Sequence, residues 1–131
     1  MTIRYIFHSG FLIETEGCIL VFDYWMDPAD VMGEYIGTKK HVYVMASHFH
    51  EDHFTKEIFC WRKSMENITY ILSKDILKRR RARREDADVW MAKGAVWEDE
   101  NVRVIATGSN DSGVSWIVET ESKRLFHAGD L

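Results

Sequence analysis

The chain has 131 residues, of which 46% are hydrophobic and 29% charged, and its formal net charge is −4. This composition is typical of a globular domain and excludes a disordered or low-complexity chain. The mildly acidic balance also argues against a general nucleic-acid coat protein. No apolar run reaches the roughly 18–20 residues that span a bilayer, and the first residues resemble a strand more than a signal peptide. We therefore expect one cytoplasmic domain over residues 1–131 that does not contact a membrane.

The first forty residues carry alternating and continuous apolar runs that predict an antiparallel β unit. Its strands are expected at residues 3–7, 11–15 and 18–22. Residues 24–40 contain the single proline, Pro28, and two glycines. We interpret this stretch as a long functional loop.

The remaining residues predict five further strands and two helices. The strands are expected at residues 41–46, 68–72, 102–106, 114–119 and 124–127. One helix is expected over 55–65, with Thr55 as its N-cap, and another over about 74–90, following Ser73. Strands with interposed helices indicate the α/β class, of the α+β type.

Four metal-binding side chains lie within six positions, directly after the predicted strand 41–46. They are His48, His50, Asp52 and His53. In an extended segment, residues two apart point to the same side, so His48 and His50 are expected to face one metal. The turn that follows can bring Asp52 and His53 to a nearby point. Imidazole and carboxylate together suit Zn²⁺, and they also suit Mn²⁺ or iron.

The segment Ser47-His48-Phe49-His50-Glu51-Asp52-His53 resembles the HxHxDH signature of the metallo-β-lactamase superfamily. A strand ending at Asp23 precedes it, and His127-Ala128-Gly129-Asp130 follows a later strand, as in that family. The resemblance covers essentially the whole chain. It implies an αββα sandwich with metals at one edge of the paired sheets.

The resemblance also implies a role for each matching residue. His48 and His50 would hold the first metal, Asp52 and His53 would hold the second, and Asp130 would bridge the two. Asp52 would also act as the catalytic residue, by orienting the bridging hydroxide and later handling the proton.

Asp23 would steady the ligand loop by hydrogen bonding, a support that metal sites generally need. The alternative for Asp23 is an ordinary turn residue after a strand.

The sequence departs from the family pattern in two places. The loop 107–113 lacks the histidine that usually completes the first site, so Asp111 is the best substitute and Ser109 the second. A role for Asp111 in capping the loop alone stays open. The sequence also stops one residue after Asp130, before the position of a last metal-binding histidine. We therefore expect an incomplete second half of the sandwich, completed by further sequence or by a homo-oligomer.

These observations predict a hydrolase with one or two metal ions per chain, most simply Zn²⁺. A metal-bound hydroxide would attack an ester, amide, lactone or phosphoester of a small molecule. The alternative is a truncated domain that binds metal and self-associates without useful turnover. A weaker alternative is nucleic-acid processing through the basic run Arg79–Arg84, which can equally be the solvated side of a helix.

Overall fold

The structure, a computed structural model, describes residues 1–108 and 113–129. The strands in these residues are β1 Thr2–Phe7, β2 Gly10–Glu14, β3 Cys18–Phe22, β4 His41–Ala46, β5 Ile68–Ser73, β6 Val89–Met91, β7 Val96–Glu98, β8 Arg103–Gly108, β9 Val114–Thr120 and β10 Lys123–His127. The α-helix α1 spans Lys74–Lys78, and 3₁₀ helices span Met32–Glu34, Lys56–Lys63 and Arg84–Asp86. None of the helical segments in this part of the chain is long and apolar enough to cross a lipid bilayer.

The strands form two sheets. Six strands make the first sheet in the order β1-β2-β3-β4-β5-β6, and four make the second in the order β10-β9-β8-β7. Strands β1 to β3 pair antiparallel, as the sequence predicts, whereas β3 to β6 pair parallel. Because β3 and β4 run in the same direction, the residues that follow them, Asp23 and Ser47, leave the sheet at the same edge. The Asp23 amide still donates to the carbonyl of Met45, at 2.8 Å.

The central strands of the first sheet are buried on both faces, which explains the nearly continuous apolar sequence of β3 and β4. One face packs against the helical segments and contributes Ile19, Val21, Val42, Val44 and Leu72 to that core. The other face packs against the second sheet and contributes Leu20, Phe22, Tyr43, Met45 and Ile71. The second sheet meets this face with Val104, Trp116 and Val118. The described residues therefore stack in three layers, in the order helical segments, first sheet, second sheet.

The outer face of the second sheet carries no helical layer within the described residues. The helical segments bury Met32, Ile58 and Ile76, and all three belong to the cluster on the first sheet. Phe126, on β10, is 62% exposed. The described residues therefore form an α+β sandwich, as predicted, with a helical layer on the first sheet only.

The predicted helix over 74–90 was wrong beyond Lys78. Arg80 adopts a left-handed conformation, with φ 59°. The Arg80 amide donates to Leu77 and the Arg81 amide to Ile76, each at 3.0 Å, which ends the helix in a Schellman motif. The chain then enters β6, which pairs parallel with β5 and which the sequence did not predict.

The predicted helix over 55–65 is a 3₁₀ helix over Lys56–Lys63. Thr55 is its N-cap, as predicted, and the Thr55 hydroxyl accepts a bond from the Glu57 amide at 3.4 Å. The short strand β7 was also not predicted. The other strands lie within two residues of their predicted bounds.

Candidate metal centre

Asp23 is a fully buried carboxylate at the end of β3, with 0% of its surface exposed. Its Oδ1 accepts from the Ser47 amide at 2.7 Å. Its Oδ2 accepts from the Ser47 hydroxyl at 2.6 Å and from His53 Nδ1 at 2.7 Å. The φ of Asp23 is 47°, in the left-handed region that aspartate tolerates better than most residues. Asp23 therefore ties the end of β3 to both ends of the 47–53 segment.

These bonds define which nitrogen of His53 carries the proton. A carboxylate can only accept, so Nδ1 of His53 is the donor and Nε2 carries the lone pair of the neutral ring. Nε2 lies 3.6 Å from Oδ2 of Asp52. The His53 side chain is buried, whereas 44% of the Asp52 side-chain surface is exposed. The lone pair of His53 therefore faces a carboxylate at the rim of the site.

The same reasoning applies to His48 through Ser47. The single proton of the Ser47 hydroxyl points to Asp23, so the hydroxyl oxygen accepts from His48 Nδ1 at 3.0 Å. Nε2 of the buried His48 then carries the lone pair. One carboxylate thus sets the tautomers of two imidazoles, which is the support that metal-binding histidines generally have.

The histidine rings lie against one another. The ring centroids of His48 and His53 are 3.9 Å apart, and those of His48 and His50 are 4.9 Å apart at 86°. His50 and Asp52 are partly exposed. Within residues 1–108 and 113–129, no three acidic, histidine or cysteine side chains are already arranged around one point. The nitrogen and oxygen donors that metal ions prefer nevertheless meet at one edge of the sheets.

The second sheet approaches this loop through two glycines that sequence reasoning did not single out. The amide of Val114 donates to the Ser47 carbonyl at 2.9 Å. A Cβ atom at Gly113 would lie 2.3 Å from that carbonyl oxygen and 2.4 Å from His48 Cβ. A Cβ atom at Gly129 would lie 3.2 Å from the Ser47 Cβ. Both glycines have positive φ, and only glycine allows the two backbones to come this close.

Two of the predicted ligands, Asp111 and Asp130, lie outside the described residues, as does Ser109. The nearest described residues in the chain, Gly113 and Gly129, both approach Ser47.

His127 holds the segment before Gly129 in place. The Gly129 amide donates to His127 Nδ1 at 3.2 Å, so the ring proton is on Nε2, which donates to the Ser9 carbonyl at 2.7 Å. The His127 ring also stacks on Phe22, with centroids 5.0 Å apart. His127 thereby joins the β1–β2 turn to the end of β10.

An apolar cavity of about 420 Å³ opens beside this stack. Its lining includes Phe11, Phe22, Leu125, His127 and Gly129. Gly129 is common to the cavity and to the close approach to Ser47, so the cavity adjoins the Ser47 end of the 47–53 segment.

Nearly the whole chain matches the sequence model of one protein family. The sequence model of a family described as a β-lactamase superfamily domain matches residues 2–131. The chain therefore belongs to this superfamily, in agreement with the His48–His53 motif. No curated protein matches the chain by sequence.

Several solved structures have the same fold as this chain. The structure of Igni18, a metallo hydrolase from Ignicoccus hospitalis, matches with a TM-score of 0.71 and 19% identity over 98% of this chain. CmlA, a diiron β-hydroxylase from Streptomyces venezuelae, matches with a TM-score of 0.64 and 13% identity over 97%. A metallo-β-lactamase from Cronobacter sakazakii matches with a TM-score of 0.64 and 17% identity over 91%. This chain spans 60%, 29% and 51% of those three chains, respectively.

Proposed function

We propose that this chain carries the metal centre of a metal-dependent hydrolase that acts on an ester, amide, lactone or phosphoester of a small molecule. The observation that carries the proposal is the buried Asp23 network, which engages Nδ1 of both His48 and His53 and so directs Nε2 of both rings to the proposed metal centre. Burying the Asp23 carboxylate costs free energy because the group loses its hydration, and the three hydrogen bonds from Ser47 and His53 offset that cost. The benefit that we propose for this network is the orientation of the two imidazoles. The names of Igni18 and CmlA, a metallo hydrolase and a diiron enzyme, support a metal-dependent activity.

The donor set fits Zn²⁺, and its imidazoles and carboxylates also suit Mn²⁺ or iron. The proposed ligands are His48, His50, Asp52, His53, Asp130 and, in place of a third histidine, Asp111. When bound, such ions lower the pKa of a water molecule and polarise the group to be cleaved.

Asp52 is the proposed catalytic residue. Its carboxylate is partly exposed and lies 3.6 Å from His53 Nε2. From this position it can accept a proton from the attacking water and pass it to the leaving group. Asp23 and Ser47 hold the imidazoles without contacting the substrate. The adjoining apolar cavity can accommodate an apolar part of a small substrate.

Metal analysis and a panel of generic esters, lactones and phosphodiesters test the proposal. The protein is loaded with Zn²⁺, Mn²⁺ or Fe²⁺, desalted and measured for bound metal and turnover. We expect one or two ions per chain, and turnover that a chelator abolishes and added metal restores. Asp52→Asn should lower turnover at least about 100-fold, in line with the effect of a general base, whereas Glu51→Gln, an exposed neighbour, should not. A chain that binds no metal, or turnover that survives both chelator and Asp52→Asn, contradicts it.

A second candidate is a metal-binding domain that self-associates with little turnover. It is favoured by the exposed Phe126 on β10 and by the outer face of the second sheet, which no helical segment within 1–108 and 113–129 covers. Further chain would be the other way to cover this face, and the match covers only 60% of the Igni18 chain. Sedimentation over a concentration series distinguishes the two. A monomer at every concentration, together with turnover, excludes the second candidate.

The exposed arginines Arg79, Arg80, Arg83 and Arg84 keep nucleic-acid processing as a weaker candidate. Salt-dependent binding of single-stranded RNA that is lost when these arginines are replaced would support it.

A further inference from the structure

The basic run Arg79–Arg84 does not face solvent uniformly. The Arg81 guanidinium turns toward the metal-binding motif, and Nη1 donates to the carbonyl of Phe49. Nη2 donates to the carbonyl of Phe54 at 3.4 Å, and the guanidinium carbon lies 5.2 Å from the Phe54 ring centroid. Arg84, from the same run, is exposed.

The two carbonyls that Arg81 contacts flank three of the candidate ligands, His50, Asp52 and His53. Phe49 separates His48 from His50, and Phe54 directly follows His53. One planar guanidinium therefore connects the two ends of the turn 49–54. Arginine suits this position because its fork holds two donors at a fixed spacing, which the single ammonium of lysine does not.

Phe49 is also held at its other polar atom and at its ring. Its amide donates to Asp75 Oδ2 at 3.1 Å, and the guanidinium of Arg79 lies 4.5 Å from its ring centroid. The helix end directs Arg81 to the turn, because the Arg81 amide is fixed by its bond to Ile76 at 3.0 Å. Asp23 thus supports the motif from one side and the 75–81 segment from the other.

We propose that Arg81 is a positioning residue for the metal centre. Its contacts with Phe49 and Phe54 set the shape of the turn that carries His50, Asp52 and His53. It acts through the backbone of the turn, because its hydrogen bonds reach the carbonyls of Phe49 and Phe54. The identity of these side chains as ligands rests on the proposed function, whereas the ordering of the turn does not.

Hydrogen exchange of the metal-free protein tests the ordering. The His53 amide donates to the His50 carbonyl within the turn, at 3.0 Å, and reports on its opening. We expect Arg81→Ala and Arg81→Lys to raise the exchange rate of this amide at least tenfold. The amides of β4 should keep their protection, and Arg84→Ala should change neither. An unchanged His53 amide in Arg81→Ala overturns the proposal, as does an equal loss of protection in the turn and in β4 in both Arg81 variants.

Co²⁺ titration, followed by the absorption bands of the bound ion, tests the consequence for metal binding. Both Arg81 variants should bind about 10–100-fold more weakly, the range for groups that orient ligands, and Arg84→Ala should bind like the unmodified chain. Equal affinity in all variants overturns the role at the metal centre. If the unmodified chain binds no Co²⁺, Zn²⁺ or Mn²⁺, both the proposed function and the role of Arg81 at a metal centre fail. Hydrogen exchange alone then decides whether Arg81 orders the turn.

Discussion

Replacing Asp23 by asparagine keeps the shape of the buried network but reverses the direction of its hydrogen bonds to the Ser47 hydroxyl and to His53. In the Asp23→Asn variant, the remaining side-chain oxygen can still accept from the Ser47 amide. The new NH₂ group takes the place of Oδ2 and has two protons, which it can donate to His53 Nδ1 and to the Ser47 hydroxyl. Ser47 must then donate to His48 Nδ1. Both imidazoles consequently carry their proton on Nε2, where the metal is proposed to bind.

The expected cost to folding is moderate. Hydrogen bonds to a charged group contribute about 1.5–3 kcal/mol and neutral ones about 0.5–1.5 kcal/mol. Three contacts to Asp23 change from the first kind to the second. Because the desolvation cost of the buried charge disappears at the same time, we expect a net loss of about 2–3 kcal/mol in the free energy of unfolding. Metal affinity should fall at least about 100-fold, the upper end for groups that orient ligands.

The assay combines urea denaturation, Co²⁺ titration and ¹⁵N NMR of the histidine rings in the metal-free protein. The NMR spectrum of Asp23→Asn should show His48 and His53 protonated at Nε2 rather than at Nδ1. Asp27→Asn is the matched control, because Asp27 accepts from the amides of Val31 and Met32 away from the histidines. It should lose stability but retain metal affinity. Metal affinity that survives Asp23→Asn, or rings still protonated at Nδ1, would refute the reasoning.

Three further changes test the structure elsewhere. Arg80→Gly should stabilise the chain by about 0.5 kcal/mol, because glycine accepts the positive φ at the end of α1 without strain; lower stability by denaturation would contradict this. Gly113→Ala should lower the free energy of unfolding by about 2–4 kcal/mol and should also lower Co²⁺ affinity, because a Cβ atom would displace Ser47. Unchanged Co²⁺ affinity would show that the close approach of Gly113 to Ser47 is unnecessary for metal binding. Burial alone would raise the pKa of Asp99, but hydrogen bonds from Tyr43 and two backbone amides hold that pKa below its usual range. Asp99→Asn should therefore lower the free energy of unfolding by about 1 kcal/mol at pH 7, a figure that allows for solvent screening. The difference in the free energy of unfolding between the two chains should narrow as the pH falls from about 4, the pKa of an unfolded-state aspartate, through the lower pKa of the folded state. The reason is that the Asp99 carboxylate of the unmodified chain becomes protonated over this range. A difference that does not depend on pH would count against the bonds to Asp99.

Much of the fold is predictable from local sequence. The strands β3 and β4 are nearly continuous apolar runs, and the sequence predicts both at their observed bounds. The cluster His48–His53 is contiguous, so its metal-binding chemistry is visible without any knowledge of the fold. Asp23 is noticeable because it follows a strand. Its contact with Ser47 and His53 depends on the parallel pairing of β3 and β4, which local sequence does not specify.

The features that sequence reasoning missed depend on partners distant in the chain. The 74–90 segment has helix-forming residues, but the helix ends at Lys78 and Arg81 then reaches Phe49 and Phe54. Tertiary contacts of this kind outweigh local propensity. Strand β6 has three residues and is stabilised by pairing with β5, which no local pattern indicates. Gly113 could have been noticed as a glycine beside a predicted strand, yet its reason lies in the backbone of Ser47.

The two sheets contribute to the described site in different ways. Asp23, Ser47, His48–His53 and Arg81 all belong to the first sheet and its connections, whereas the second sheet reaches them through the backbones of Gly113 and Gly129. The contacts of Asp23 with Ser47 and His53 join residues that are close in sequence. The contacts that dock the second sheet on the first join residues much farther apart in sequence, and such contacts form more slowly during folding. A partly folded chain with only its first sheet formed would therefore already hold the imidazoles of His48 and His53 in their final orientation, before the sandwich is complete.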